Sequence, residues 1–156
     1  MQVSKYNIIK IGLIAGLGGL IYWKLANNRR FVFWYISKAY STTVAKYVNA
    51  IYRIETGNFK SNIFKNTKGA GVLAFKKTKP YGHKEKLFKD VFTTGTYTTK
   101  NGFDYVKFFT LLDGFKFVAN YLTINGLDIE KIRNRVKKYG SQEPNYINII
   151  ENIVKS

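Results

Sequence analysis

The chain reads as an α+β domain, mainly helical, with one small β-hairpin. Three observations predict this. Apolar residues recur at intervals of three and four over 31–54, 105–122, 128–138 and 145–154, the spacing of a single helix face. One Asn-Gly pair, Asn101-Gly102, lies between Thr- and Tyr-rich flanks, the local signal of a hairpin turn. Gly and Pro punctuation separates these stretches without a fixed period, so no repeat architecture is expected.

The elements follow in order. Ile11 to Trp23 is thirteen uncharged residues, short of the ~20 that span a bilayer, but Tyr6 to Ala26 is long enough. Lys10 and Lys24 could snorkel to headgroups, and Tyr22 and Trp23 suit the interface. Gly12 and Gly16 form a small-xxx-small pair. The segment is therefore expected to be a retained single-pass transmembrane helix. Residues 1–30 would be a membrane anchor with a basic junction, and 31–156 the folded domain. A cleaved signal peptide and a buried core helix also fit; no small-x-small cleavage site follows Trp23. Basic residues flank both sides, so orientation is left open.

Phe31 to Ile54 predicts one helix, stopped at Thr56-Gly57-Asn58, with Glu55 in its last turn. Ser61 to Asn66 predicts a short helix with Ser61 as cap. Residues 68–81 read as loop with a short extended piece, and 91–105 as the hairpin. Residues 105–122 return to helical spacing, with a break expected at Asp113-Gly114. Asp128 to Lys138 and Asn145 to Val154 close the chain as helices, the last opened by Pro144.

Composition narrows the function. The 156 residues allow one compact domain and a short appendage. A hydrophobic fraction of 46%, with 12 Tyr and 12 Phe, provides for a core and stacking surfaces and excludes a disordered chain. The absence of cysteine excludes disulfides and thiolate metal sites. His83 is the single histidine, so no metal site and no Ser/His/Asp constellation is expected. Neither a GxGxxG nor a P-loop pattern occurs, and no cofactor is expected. The net charge of +17 favours anionic partners: lipid, a wall polymer or nucleic acid. A solvated, Lys-rich surface is the plainer account of the same charge. From Lys60 to Lys89, nine lysines face one acid, Glu85, which makes that stretch the place to look for anionic contacts.

Glu55 is the first acid of the chain, after 54 residues holding eight Lys and Arg. A carboxyl group protonates a leaving oxygen at neutral pH only when its pKa is raised, and burial at a helix end among aromatics such as Tyr52 and Phe59 does that. The plainer reading is a Glu paired with a neighbouring Lys. A second carboxylate would serve as nucleophile or base. Glu85 and Asp90 lie among lysines and read as salt-bridge partners, which leaves Asp104, beside the hairpin.

Glu55-Thr56-Gly57-Asn58-Phe59-Lys60-Ser61 resembles the motif of the lysozyme-like superfamily, nearest its bacterial glucosaminidase and lytic-transglycosylase branch: an acid at a helix end, then Ser/Thr-Gly-aromatic-x-Ser. Asn58 is an insertion relative to that motif. Asn66-Thr67-Lys68-Gly69 is similar to the family's cleft-entering loop. Tyr105-Val106-Lys107-Phe108-Phe109 with Gly114-Phe115 is similar to its aromatic segment. Tyr139-Gly140-Ser141 and Tyr146 are similar to its closing region, where a Tyr packs against the cleft. The resemblance covers roughly 45–154, in order. It implies a membrane-anchored peptidoglycan hydrolase or lytic transglycosylase, a glycosidase with Glu55 as general acid. Asp104 or Tyr97 would be the second catalytic group. Ser61, Asn66, Phe103, Tyr105 and Tyr139 would bind the glycan strand. Such an enzyme suits a bacterial cell-wall envelope or a membrane-containing bacteriophage virion. The alternative from the residues alone is a non-catalytic, basic, membrane-associated structural protein bridging lipid to capsid or nucleic acid.

Overall fold

The computed structural model describes residues 16, 18–72, 84–140 and 143–156. Most of the expected anchor, His83 and much of the Lys60–Lys89 stretch lie outside them. Residues 18–26 are helical, with Leu20, Ile21, Tyr22, Trp23 and Leu25 exposed and Ala26 buried. No helix among the described residues is long and apolar enough to cross a membrane. Asn27 ties this segment to the domain: its amide donates to the Trp23 carbonyl (2.9 Å), and its oxygen accepts the Leu111 N–H (3.2 Å).

After it come α1 (Arg29–Ala39), α2 (Thr42–Glu55), α3 (Asn62–Thr67), α4 (Lys84–Leu87), β1 (Thr93–Thr98), β2 (Asp104–Phe108), α5 (Leu111–Thr123), α6 (Ile129–Tyr139) and α7 (Tyr146–Lys155). The α+β class, mainly helical with one two-stranded antiparallel sheet, is as expected from the sequence.

Two boundaries differ. The single helix expected over 31–54 is two. Ser41 interrupts it, its hydroxyl accepting the Val44 N–H at 3.1 Å as the N-cap of α2. The apolar spacing continues through the break because α1 and α2 both face the core, so periodicity alone cannot detect it. The helix expected from Tyr105 begins at Leu111 instead. Residues 104–108 are a strand in which Val106 and Phe108 point inward and Lys107 outward, a period of two that a short aromatic run conceals. Asp113-Gly114 is not a break. Thr110 and Asp113 form a capping box: the Thr110 hydroxyl accepts the Asp113 N–H, and Asp113 accepts the Thr110 N–H (3.0 Å).

Helix α5 is central. Ten of its thirteen residues are buried, which places it where a helix apolar on all sides must go. Helices α1, α2, α4 and α6 pack on it, and α7 packs on α2 and α6. The core gathers Ile36, Val48, Ile51, Tyr52, Phe115, Phe117, Val118, Leu122 and Ile150. Each fully buried aliphatic or aromatic side chain contributes about 2 kcal/mol. In the sheet, Tyr97 opposes Tyr105 and Thr98 opposes Asp104, with a bulge between Thr93 and Gly95. The outer edge of β2 is tied to the chain after α3, where Val106 N–H donates to the Val72 carbonyl at 2.8 Å.

Candidate functional site

Helix α2 ends at Glu55 because the chain turns over sharply beyond it. Gly57, Asn58 and Phe59 all take left-handed backbone angles, with φ of 55°, 57° and 67°. For Asn58 and Phe59 this is a strained region. Buried Thr56 holds the turn: its hydroxyl donates to the Tyr52 carbonyl and accepts the Phe59 N–H at 2.8 Å. Asn58 N–H donates to the Arg53 carbonyl at 2.7 Å, and Ser61 N–H to the Thr56 carbonyl at 2.9 Å. Phe59 folds back to stack on Tyr52, 5.9 Å between ring centroids.

Glu55 is an exposed residue, but both of its carboxylate oxygens have protein neighbours. Oε1 accepts the Tyr146 hydroxyl at 2.7 Å. Oε2 lies over the turn after α3, where a Cβ added to Gly71 would sit 3.6 Å from it. Among the described residues no cation forms an ion pair with Glu55; the lysines at 76, 77 and 79 lie outside them. Burial raises the Glu55 pKa above the usual carboxylate range, and the Tyr146 hydrogen bond opposes this without cancelling it. The negative end of the α2 dipole also disfavours the anion. Burial pushes the Tyr146 hydroxyl far up as well, with the neighbouring Glu55 charge adding to it, so Tyr146 stays a donor.

Two further contacts fix this pair. Gly140, which ends α6, presses its backbone on the Tyr146 ring; a Cβ there would fall inside the ring. Tyr139 donates its hydroxyl to the Ala70 carbonyl at 2.7 Å, bracing the 69–72 turn that lies under Oε2. The cluster therefore joins the end of α2, the turn after α3, the end of α6 and the start of α7.

The other expected site residues fall into three groups. Tyr139 belongs to the Glu55 cluster, with its hydroxyl committed to Ala70. Tyr97, Phe103, Asp104 and Tyr105 share the hairpin: Asp104 accepts the Thr98 hydroxyl at 2.6 Å, Tyr97 and Tyr105 are half-buried partners, and Phe103 is exposed at the turn. The hairpin reaches the Glu55 cluster through the Val106–Val72 hydrogen bond, one residue beyond Gly71. Ser61 and Asn66 are engaged locally in α3. The Ser61 hydroxyl caps it through the Phe64 N–H (3.1 Å), and the Asn66 amide donates to the Asn62 carbonyl (2.8 Å).

Sequence reasoning set Gly140 and Tyr146 in one closing region but did not find the Glu55–Tyr146 hydrogen bond, nor Gly71 beside Glu55. The signal for Gly140 was present as a Gly ending a periodic helix six residues before a Tyr, but only the fold shows that the two touch. Among the described residues no group of three His, Cys, Asp or Glu could hold a metal. No family model matches the chain, and no curated protein or solved structure is similar to it.

Proposed function

We propose that this chain is a membrane-tethered domain that cleaves the glycan strands of peptidoglycan, with Glu55 as general acid. The observation that carries the reading is the docked Glu55 carboxylate: it ends a helix, burial favours its protonated form, and a hydroxyl that stays protonated holds it in place. A protonated carboxyl there can donate to the glycosidic oxygen as the C–O bond breaks, leaving oxocarbenium character at the anomeric carbon. Glu55, now a carboxylate, is the base for the next step. It can take a proton from an attacking water, giving hydrolysis. It can instead take one from a hydroxyl of the same sugar, giving an anhydro product. The second route needs no further carboxylate. Asp104 and Tyr97 are the hairpin groups available to assist.

The exposed apolar side chains of 18–26 and the uncharged run before them support attachment to a bilayer. The bacterial envelope and a membrane-containing phage particle are both settings that suit a tethered wall-cleaving enzyme.

The test is clearing of purified peptidoglycan by the wild type and Glu55→Gln, with product analysis. Loss of a general acid reduces the rate by about 10²–10⁴. Equal clearing by both proteins, or none by the wild type across pH and salt, removes the reading. Reducing ends among the products indicate hydrolysis, and anhydro ends indicate transglycosylation.

A further inference from the structure

The turn that ends α2 also builds a cavity of about 420 Å³, lined by Arg29, Lys60 and Lys68 together with Trp23, Phe59 and Phe64. Its lining contains three cations and no carboxylate. None of the three cations has an ion-pair partner among the described residues. Two are held over rings: the Arg29 guanidinium lies 4.8 Å from the Phe59 centroid, and Lys68 Nζ 5.8 Å from that of Phe64. Asn58, Phe59 and Lys68, three of the four described non-glycine residues at positive φ, all line it. Arg29 and Lys60 are exposed and Lys68 half-buried, and the ends of α2 and α3 bring Lys60 and Lys68 to one cavity with Arg29 and no acid. Asn58, the residue inserted relative to the lysozyme-like motif, contributes to this wall.

The neighbouring chain indicates the ligand. Trp23 belongs to the helical segment 18–26, whose apolar side chains are exposed and which continues the uncharged run from Ile11. Asn27, also in the lining, fixes that segment to α5. A basic cavity with an interfacial Trp, beside a segment suited to the bilayer, matches the chemistry of an anionic headgroup: phosphate oxygens for Arg and Lys, glycerol and upper acyl carbons for the aromatics.

We propose that this cavity binds the phosphate of an anionic phospholipid headgroup, docking the domain against the membrane surface. The proposal rests on the membrane-attachment part of the function above and is independent of glycan cleavage. A second basic cavity, about 340 Å³ around Lys131, Arg135, Lys137 and Lys138, has no aromatic in its lining. It serves as the control for net charge.

The experiment is co-sedimentation of the full-length chain with phosphatidylcholine vesicles and with vesicles containing phosphatidylglycerol. The increment due to phosphatidylglycerol reads the cavity, and binding to phosphatidylcholine alone reads the tether, so the two can fail separately. Lys60→Gln/Lys68→Gln is expected to reduce the increment roughly 30-fold, from the usual attraction of two basic groups to an anionic surface. Lys137→Gln/Lys138→Gln, which removes the same charge, is expected to reduce it less than about threefold. Equal losses from the two pairs would show that net charge is responsible and overturn the proposal. Inorganic phosphate at constant ionic strength is the second arm. An unchanged increment supports the lipid, whereas its abolition by millimolar phosphate reassigns the cavity to a soluble phosphate ligand and overturns the headgroup assignment. Unchanged melting temperatures of both variants check the fold.

Discussion

Replacing Tyr146 by Phe isolates what its hydroxyl does for Glu55. The ring is retained, so its packing on Gly140 survives. What is lost is one 2.7 Å O–H···O bond to the carboxylate. A hydrogen bond to a charged acceptor contributes about 1.5–3 kcal/mol in a buried setting. Glu55 is an exposed residue, and screening reduces this to about 1 kcal/mol. That bond favours the anion. Without it the balance moves toward the protonated acid by a factor of about five, since RT is about 0.6 kcal/mol. The active form of a general acid is the protonated one, so activity falls as pH rises through the Glu55 pKa. In Tyr146→Phe that fall is displaced to higher pH, and the rate on the alkaline limb, relative to the plateau, rises up to about fivefold. The plateau itself drops a few fold, because the carboxyl loses the contact that orients it. The measurement is the rate of wall clearing from about pH 4 to 9 at fixed ionic strength. An alkaline limb that stays in place or moves to lower pH, in a variant that melts normally, refutes the assignment of Glu55 as an acid tuned by Tyr146.

Three other outcomes follow from the same contacts. Because the native Glu55 pKa is raised, its contribution to stability is complete below the unfolded-state pKa and is lost as pH rises through the native value. Glu55→Gln retains an acceptor for Tyr146 and should therefore melt higher at neutral pH, a gain that vanishes below the unfolded-state carboxylate pKa of about 4; a lower neutral-pH melting temperature contradicts this. Gly140→Ala drives a methyl into the Tyr146 ring and should cost about 1–3 kcal/mol in urea unfolding, with wall clearing falling in parallel; unchanged stability would mean that Gly140 does not fix the ring. Asp113→Ala leaves the Thr110 and Phe92 N–H groups without their acceptor and should cost about 3 kcal/mol by the same assay, whereas a loss under about 1 kcal/mol would deny the capping box its role in starting α5.

The elements with local chemistry were legible: the Asn101-Gly102 turn, the helix stop at Gly57, the Ser61 cap, and the last two helices with their Asp128 and Pro144 starts. What failed did so where two signals overlapped. Ser41 has a cap's chemistry, but the apolar pattern runs through it because both helices face one core. Residues 105–108 fit a helical period, a strand period and a family pattern together, and burial of Val106 and Phe108 on one face decided for the strand. Asp113-Gly114 looks like a breaker until Thr110 is seen to pair with it, since an Asp at the third helical position is a start signal and not a stop.

The candidate site was legible only at its acid. Glu55 stands out by its isolation in a basic chain, whereas the groups that tune it come from 16 and 91 residues away, at Gly71 and Tyr146. No local pattern encodes such contacts. The turn between Glu55 and Ser61 shows why the region is nevertheless unusual as sequence. A turn that only ended a helix would use glycine at each left-handed position, yet this one has Asn58 and Phe59 at two of its three. Phe59 in the left-handed region costs about 1–2 kcal/mol, and its ring offsets this by stacking on Tyr52 and meeting Phe64 edge-on at 5.5 Å. The Arg29 guanidinium lies over the same ring, so one strained residue both seals the end of the acid's helix and forms a wall of the basic cavity. The acid and the cavity residues Asn58, Phe59 and Lys60 are then three to five residues apart along one turn. If the domain docks through that cavity as proposed, the turn from Glu55 to Lys60 would hold the acid at a fixed height above the membrane surface.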